Sequence, residues 1–340
     1  MPKLSVVVYV RDNYWQLEQM LPVLLSQEYP AGFEVVVAID GKSEQSIDVV
    51  KRLSVEHRNL RITFVPDEAH ALSRKKLALT LGVKGCRYDH VVLTDAAVNI
   101  PSYEWLSGIG RHFTQGREVV LGYVWPYDIS GKSMKPISAF DELNVAVDAF
   151  SEAVKGRPYR ATAANIAFEK DLFVSRKGFA DSVGFHHGED DIFVKNLCRD
   201  SRCAVELSPQ TQLGLGCQDV NAWHKLNKLS HLFTGKFVSR RASLKSGFYS
   251  LAAWAWLSAT VCAGVMSFPN LIPLAVSLLA GIIWMTVLVL SWLSAAKALC
   301  IPQSRLLLPI LFFVRPIYNY VYRLKSRQTR DCNYTWTRPH

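Results

Sequence analysis

From Ser246 to Ala296 the chain runs without a single Asp, Glu, Lys or Arg. A soluble core does not need so long an uncharged run. A bilayer does, because each spanning helix needs about 20 apolar residues to cross a hydrocarbon layer roughly 30 Å thick. The run holds two such lengths, Phe248 to Met266 and Pro273 to Leu293. Between them Phe268-Pro269-Asn270-Leu271-Ile272-Pro273 carries two prolines, which end one helix and start another. The expectation is a C-terminal transmembrane helical hairpin.

Charge is placed accordingly. The formal net charge is +10, but from Lys236 onward there are twelve Lys/Arg against one acidic residue, Asp331, so residues 1–235 are near neutral. Lys236, Arg240, Arg241 and Lys245 precede the apolar run, and Lys297, Arg305 and Arg315 follow it. Basic charge on both flanks puts both ends on the cytoplasmic side of a cell inner membrane, in contact with membrane lipids, and the pattern excludes a nucleic-acid partner. Leu306 to Tyr322 is apolar but broken by Pro309, Arg315 and Pro316, and Arg323, Lys325 and Arg327 come next. This stretch reads as an amphipathic helix lying in the interface. Residues 1–235 are thus a globular domain, 236–247 a basic juxtamembrane linker, 248–296 two membrane helices and 297–340 an interfacial helix with a basic tail. The seven cysteines show no paired spacing, which fits a reducing compartment. The first apolar run, Leu4 to Val10, is too short for a signal-peptide core.

Within the globular domain, strand and helix alternate. Leu4 to Val10, Phe33 to Ile39, Leu60 to Val65 and His90 to Thr94 are β-branched apolar runs of strand length. Leu17, Met20, Leu21, Leu24 and Leu25 recur at helical spacing, and helices are expected again through Val49–Leu53 and Ser73–Leu81. This order predicts an α/β, doubly wound, mostly parallel sheet with right-handed crossovers. The run at His90 ends on Asp95-Ala96-Ala97, with Pro101 beyond. An acidic residue at the carboxyl end of a central strand stands where open α/β sheets bind ligands. Farther on, the crowded carboxylates of Glu189-Asp190-Asp191 can raise one another's pKa into the range of a general base. The alternative for that triplet is a solvated, helix-capping turn. Lys75 and Lys76 open a helix and could neutralise a diphosphate, or be an ordinary exposed face.

Ser5-Val6-Val7-Val8, Glu34-Val35-Val36-Val37 with Asp40, Lys75-Lys76-Leu77-Ala78-Leu79, and Leu93-Thr94-Asp95-Ala96 with Pro101 and Trp105 resemble family 2 glycosyltransferases. So do Ala164-Asn165-Ile166-Ala167-Phe168, Lys177-Gly178-Phe179 and His187-Gly188-Glu189-Asp190-Asp191-Ile192-Phe193, in that family's order from Leu4 to Gly235. The resemblance implies a GT-A fold and an inverting transfer from a nucleotide-sugar donor to a glycan or lipid-linked acceptor. It implies that Asp40, Lys75, Lys76 and Asp95 hold the donor and that Asp190, beside Glu189, is the catalytic base. Asn165 and Asp191 would lie on the acceptor side. Three departures stand out. Ile39 replaces an acidic residue ahead of Asp40. Asn227-Lys228-Leu229-Ser230-His231 lacks an arginine that the family carries there. Ala97 replaces the second carboxylate of an Asp-Ala-Asp turn, leaving Asp95 alone to ligate the magnesium or manganese such a turn holds. Ile39 and Ala97 leave open a second reading, a catalytically impaired relative that acts as a membrane-bound binding or scaffolding partner.

Overall fold

The computed structural model describes residues 1–41, 43–66, 73–238, 240–266, 270, 272–301, 303 and 305–328. The chain begins with β1 (Leu4–Val10), α1 (Tyr14–Leu25), β2 (Phe33–Ile39), α2 (Glu44–Ser54), β3 (Leu60–Phe64), α3 (Arg74–Gly85) and β4 (His90–Asp95). β1 pairs in parallel with β2 on one side and β4 on the other, and β3 joins in parallel beyond β2. The run Val6-Val7-Val8 is apolar throughout because both faces of the sheet are covered. Val6, Val8 and Val10 enter one core with α1, while Val7 enters the other beneath α3. Successive strand side chains point to opposite faces, so neither cluster leaves a polar gap for water.

Helix α3 lies flush on this sheet because residue 82 is glycine. A β-carbon there would stand 2.4 Å from Val7 Cγ1. The close approach aims the first turn of α3, with Lys75 and Lys76, at the carboxyl ends of β1 and β4.

After β4 come β5 (Val98–Asn99), α4 (Trp105–Thr114), β6 (Val119–Gly122), β7 (Val124–Asp128), α5 (Pro136–Val154), β8 (Ile166–Glu169), α6 (Lys170–Ser175), α7 (Ile192–Leu197), β9 (Cys203–Glu206) and β10 (Leu213–Cys217). The main sheet has seven strands in the order β3-β2-β1-β4-β8-β6-β9. Within it β8 runs antiparallel to both β4 and β6, and the other pairings are parallel. A second sheet, β5-β10-β7, was not foreseen. It covers the carboxyl edge of the first and supplies one wall of the cavity described below.

The C-terminal part is α8 (Val220–Val238), α9 (Arg240–Met266), α10 (Ile272–Ala298) and α11 (Leu308–Gln328). At 27 residues α10 is long and apolar enough to cross a membrane, and only 6% of its apolar window is buried. The apolar segment of α9 described here, Trp254–Met266, is shorter than a span. The two helices touch through Thr260 Oγ1 and Ser277 Oγ, 2.7 Å apart, and through the rings of Trp256 and Trp284. Much of the expected turn between them, and the tail from residue 329, lie outside the described residues.

These helices are not a separate appendage. Ala296, Leu299 and Ile301, at and just beyond the end of α10, join the core beneath α3 and α5, and Gln212 Nε2 donates to the Ala298 carbonyl at 2.6 Å. Leu308 and Leu311 of α11 pack with Phe140 of α5. Beside them Asp141, 1% exposed, accepts from Lys228 Nζ of α8 at 2.5 Å and from Arg315 Nε of α11 at 2.9 Å. Burial by itself would raise the Asp141 pKa, but the two cations hold it below the ordinary carboxylate value. On the opposite face of α11, Ile310, Val314, Ile317, Val321 and Leu324 are exposed at helical spacing. These side chains form an exposed apolar stripe along α11. Removing the anion from the buried triad leaves two buried cations uncompensated. Asp141→Ala is therefore expected to lose about 3–5 kcal/mol of stability, read as a lower denaturation midpoint of the detergent-solubilised protein.

Candidate active site

The first turn of α3, the carboxyl end of β4, β7 with the residue before it, β10, α5, the loop ahead of β8, the 187–191 turn and α8 enclose a cavity of about 330 Å³. Its charged wall holds Lys75, Asp95, Arg160, Glu189 and Asp190, and its apolar wall includes Val145, Ala149, Phe150, Leu215 and Leu226. Lys75 stands between two carboxylates, with Nζ 3.5 Å from Asp95 Oδ2 and 3.8 Å from Glu189 Oε1. Burial pushes the Lys75 ammonium down, but Asp95, Glu189 and Asp190 more than offset it, and its pKa lies above the ordinary lysine value. It is a fixed positive charge. Asp95 also accepts from the Ala97 N–H at 3.0 Å, which closes the turn after β4.

Glu189 and Asp190 are brought to the cavity by an unusual support. The Lys76 side chain is 1% exposed, and its ammonium donates to three carbonyls in the preceding loop: Ser182 at 2.5 Å, Phe185 at 2.8 Å and His187 at 2.7 Å. Burial lowers the Lys76 pKa to about 8. Gly188 follows with φ +113°, a conformation that glycine adopts without strain. Asp190 is then held by the Ala163 N–H, which donates to Oδ1 at 2.7 Å. Burial first, and the neighbouring Glu189 second, raise the Asp190 pKa to about 7. A carboxyl with that pKa can accept a proton near neutrality.

Four residues expected on substrate are engaged by protein groups, one of them, Asp191, within the cavity lining. Lys76 cannot meet a diphosphate, because its ammonium is consumed by the three carbonyls. Asn165 is 1% exposed; its Nδ2 donates to the Tyr123 and Thr211 carbonyls at 3.0 Å, and its Oδ1 accepts from Trp105 Nε1 at 3.1 Å. With those three bonds it fastens the two sheets together and does not face an acceptor. Asp191 reaches the cavity edge, but its carboxylate caps α7 through the Ile192 N–H at 2.7 Å and accepts from the Thr234 hydroxyl of α8. Asp40 is 3% exposed and accepts from Arg74 Nε at 2.5 Å and the Tyr9 hydroxyl at 3.1 Å, outside the cavity lining.

Other groups in the wall were missed. Arg160 comes from the loop between α5 and β8, with Nη2 3.5 Å from Asp191 Oδ2. His231 of α8 is held well below the ordinary histidine pKa by burial and then by Arg160 and Lys228, so its imidazole is neutral. Glu142 of α5 and Trp223 of α8 complete the rim. No single sequence pattern links these positions, since Arg160 and Glu142 lie far from α8, which carries Trp223 and His231. Two buried polar atoms, Glu189 Oε2 and Arg160 Nε, have no partner among the described residues. Such orphans in a cavity wall are groups left to meet a ligand.

The donor set does not fit a divalent metal. Ala97 has no oxygen to offer, and the remaining carboxylate of that turn, Asp95, faces a lysine ammonium. Among the described residues no three His, Cys, Asp or Glu side chains converge as metal ligands would.

Among solved structures, the mannosyltransferase PcManGT from Pyrobaculum calidifontis, in complex with GDP-Man and Mn2+, superposes with a TM-score of 0.51 at 17% identity, covering 94% of this chain and 87% of that one. S. aureus TarS 1-349 in complex with UDP-GlcNAc gives 0.47 at 18% identity, over 96% and 92% of the two chains. The first likeness bears out the GT-A-like fold expected from the sequence. A comparison with curated protein sequences finds no match. Residues 12–315 match glycosyl transferase family 21, most of the chain, and the protein belongs to that family of glycosyltransferases.

Proposed function

We propose that the cavity transfers one sugar, with inversion, from a nucleotide-sugar donor to a hydroxyl of a glycan or lipid-linked acceptor at the cytoplasmic face of a membrane. The observation that carries this reading is Lys75, fixed between Asp95 and Glu189 in the same cavity as a carboxyl, Asp190, whose pKa is about 7. Displacement at a sugar carbon needs a base on one face and positive charge near the departing diphosphate on the other. Asp190 takes the proton of the acceptor hydroxyl as its oxygen attacks. The bond to the diphosphate breaks on the opposite face, and Lys75, helped by Arg160, stabilises the charge that leaves. Asp95 receives a donor hydroxyl, and Glu189 sets the basicity of Asp190. This assignment favours an enzyme over a silent scaffold, because a scaffold has no use for a carboxyl raised toward neutrality.

Residues 1–235 act as the transferase domain, since every residue lining the cavity falls within them. The hairpin of α9 and α10, with α11 in the interface, holds the cavity near the bilayer as a multi-pass inner-membrane anchor. The long apolar α10 and the exposed stripe on α11 support that placement.

The two adjacent lysines separate the roles. Lys75→Met should weaken nucleoside-diphosphate binding about tenfold or more with little loss of stability, whereas Lys76→Met should lower the unfolding midpoint and loosen amide protection over residues 182–190. Calorimetry and hydrogen exchange on the same preparations read both effects.

Asp190 works only when deprotonated. kcat/KM should therefore rise with pH and level off above about 7. Glu189→Gln removes a neighbouring negative charge and should move that limb to lower pH. Asp190→Asn should keep nucleotide binding and lose roughly 10²-fold or more in transfer.

The cation dependence follows from the donor set. Chelators should leave nucleoside-diphosphate affinity of the unmodified protein nearly unchanged, and Ala97→Asp should create a dependence on manganese. Strong inhibition of the unmodified protein by a chelator would refute the metal-free assignment.

A further inference from the structure

One carboxylate in the cavity has no place in the chemistry above. Glu142 lies on α5, away from the Glu189–Asp190 turn in sequence, yet lines the same cavity. Its Oε1 accepts from His224 Nδ1 at 2.7 Å, and its Oε2 has no hydrogen-bond partner among the described residues. His224 is 1% exposed, and its Nε2 lies 3.0 Å from the hydroxyl of Tyr318 on α11. Nδ1–H donates to the Glu142 carboxylate, while Nε2 faces the Tyr318 hydroxyl and lies 3.8 Å from Asp141 Oδ2, so the ring is held from both sides. A buried imidazole held at both nitrogens is a rigid support for a carboxylate in the cavity lining. Along the same face of α5, Val145, Ala149 and Phe150 continue the wall as apolar surface.

We propose that Glu142 is a specificity-determining residue that binds a hydroxyl of the acceptor, and that His224 and Tyr318 are positioning residues that aim it. The assignment rests on the transferase reading for the word acceptor. The contact itself is with a hydroxyl-bearing group that also presents apolar surface to α5. A carboxylate accepting from such a hydroxyl forms a charge-assisted hydrogen bond, and in a mostly apolar recess that bond discriminates strongly against ligands lacking the donor. Because Tyr318 comes from α11, the acceptor subsite is complete only while α11 is seated on α5 and α8.

The test uses the full chain in lipid nanodiscs, with hexyl β-D-glucoside below its micellar concentration as the hydroxyl-bearing probe and UDP or GDP as the nucleotide, both read by calorimetry. The unmodified protein should bind the glucoside saturably. Glu142→Gln should weaken it roughly tenfold or more without changing nucleotide affinity. Tyr318→Phe should weaken it less, and should have no further effect in the Glu142→Gln background, because it acts through Glu142. A purely structural role for Tyr318 would give additive losses and would shift nucleotide affinity as well. Equal glucoside affinity in Glu142→Gln and unmodified protein, or no saturable binding by the unmodified protein, overturns the proposal. If neither nucleotide binds while glucoside binding still depends on Glu142, the hydroxyl site stands and the transferase reading is what fails.

Discussion

The buried ammonium of Lys76 is the interaction on which the catalytic side of the molecule depends. An isolated lysine in a dry interior costs several kcal/mol, and this one is kept charged by three carbonyls of a single loop more than a hundred residues away in sequence. The geometry propagates from there. Gly82 presses α3 onto β1, so Lys76 has a fixed origin. The clamped loop delivers Gly188, the glycine turns the chain, and Asp191 starts α7 while gripping Thr234 of α8. Two neighbouring side chains on one helical turn thus serve opposite ends: Lys75 faces the ligand space and Lys76 fastens the floor beneath it.

Electrostatics in the cavity is a balance between clustered carboxylates and Lys75. Asp95, Glu189 and Asp190 surround one lysine, so the free site carries excess negative charge unless a carboxyl takes up a proton. Asp190 is the group whose environment makes protonation easiest, since burial and Glu189 act in the same direction. In the proposed transfer a diphosphate meets Lys75 and Arg160 as its cations, together with a neutral His231 that donates or accepts without adding charge. The guanidinium of Arg160 comes from a loop, not from the α8 segment where the sequence lacked an arginine.

Much of this architecture was legible in the sequence, for identifiable reasons. β1 to β4 were readable because strands covered on both faces are apolar without interruption, and α1 because its leucines recur at helical spacing. The lone long uncharged run announced α10, a helix long and apolar enough to cross a membrane. Asp95, Lys75, Glu189 and Asp190, which line one cavity, stood out as candidates because they sit in short local patterns. What escaped was set by distance in the chain. β8 runs against its neighbours, and four residues such as Ile166–Glu169 carry no mark of direction. Lys76 and Asn165 sat in the right motifs, but whether a polar group faces a cavity or is used up by carbonyls depends on elements distant in the chain. Arg160 and Glu142 belong to no pattern at all, and His231 stood in a segment noted only for its missing arginine; only folding brings the three to one wall.

The seating of α11 has a practical consequence for anyone handling this protein. It is tempting to trim such a chain after α8, discarding the greasy helices to obtain a water-soluble enzyme. Here that cut would strip Arg315 from Asp141, Tyr318 from His224 and Asn319 from Lys228, and would uncover Phe140 and the end of the core where Leu299 and Ile301 pack. The catalytic half would keep its sheet but lose the buttress along α5. A soluble version is better sought by replacing the outward apolar side chains of α10 and α11 with polar ones, leaving their inward faces as they are.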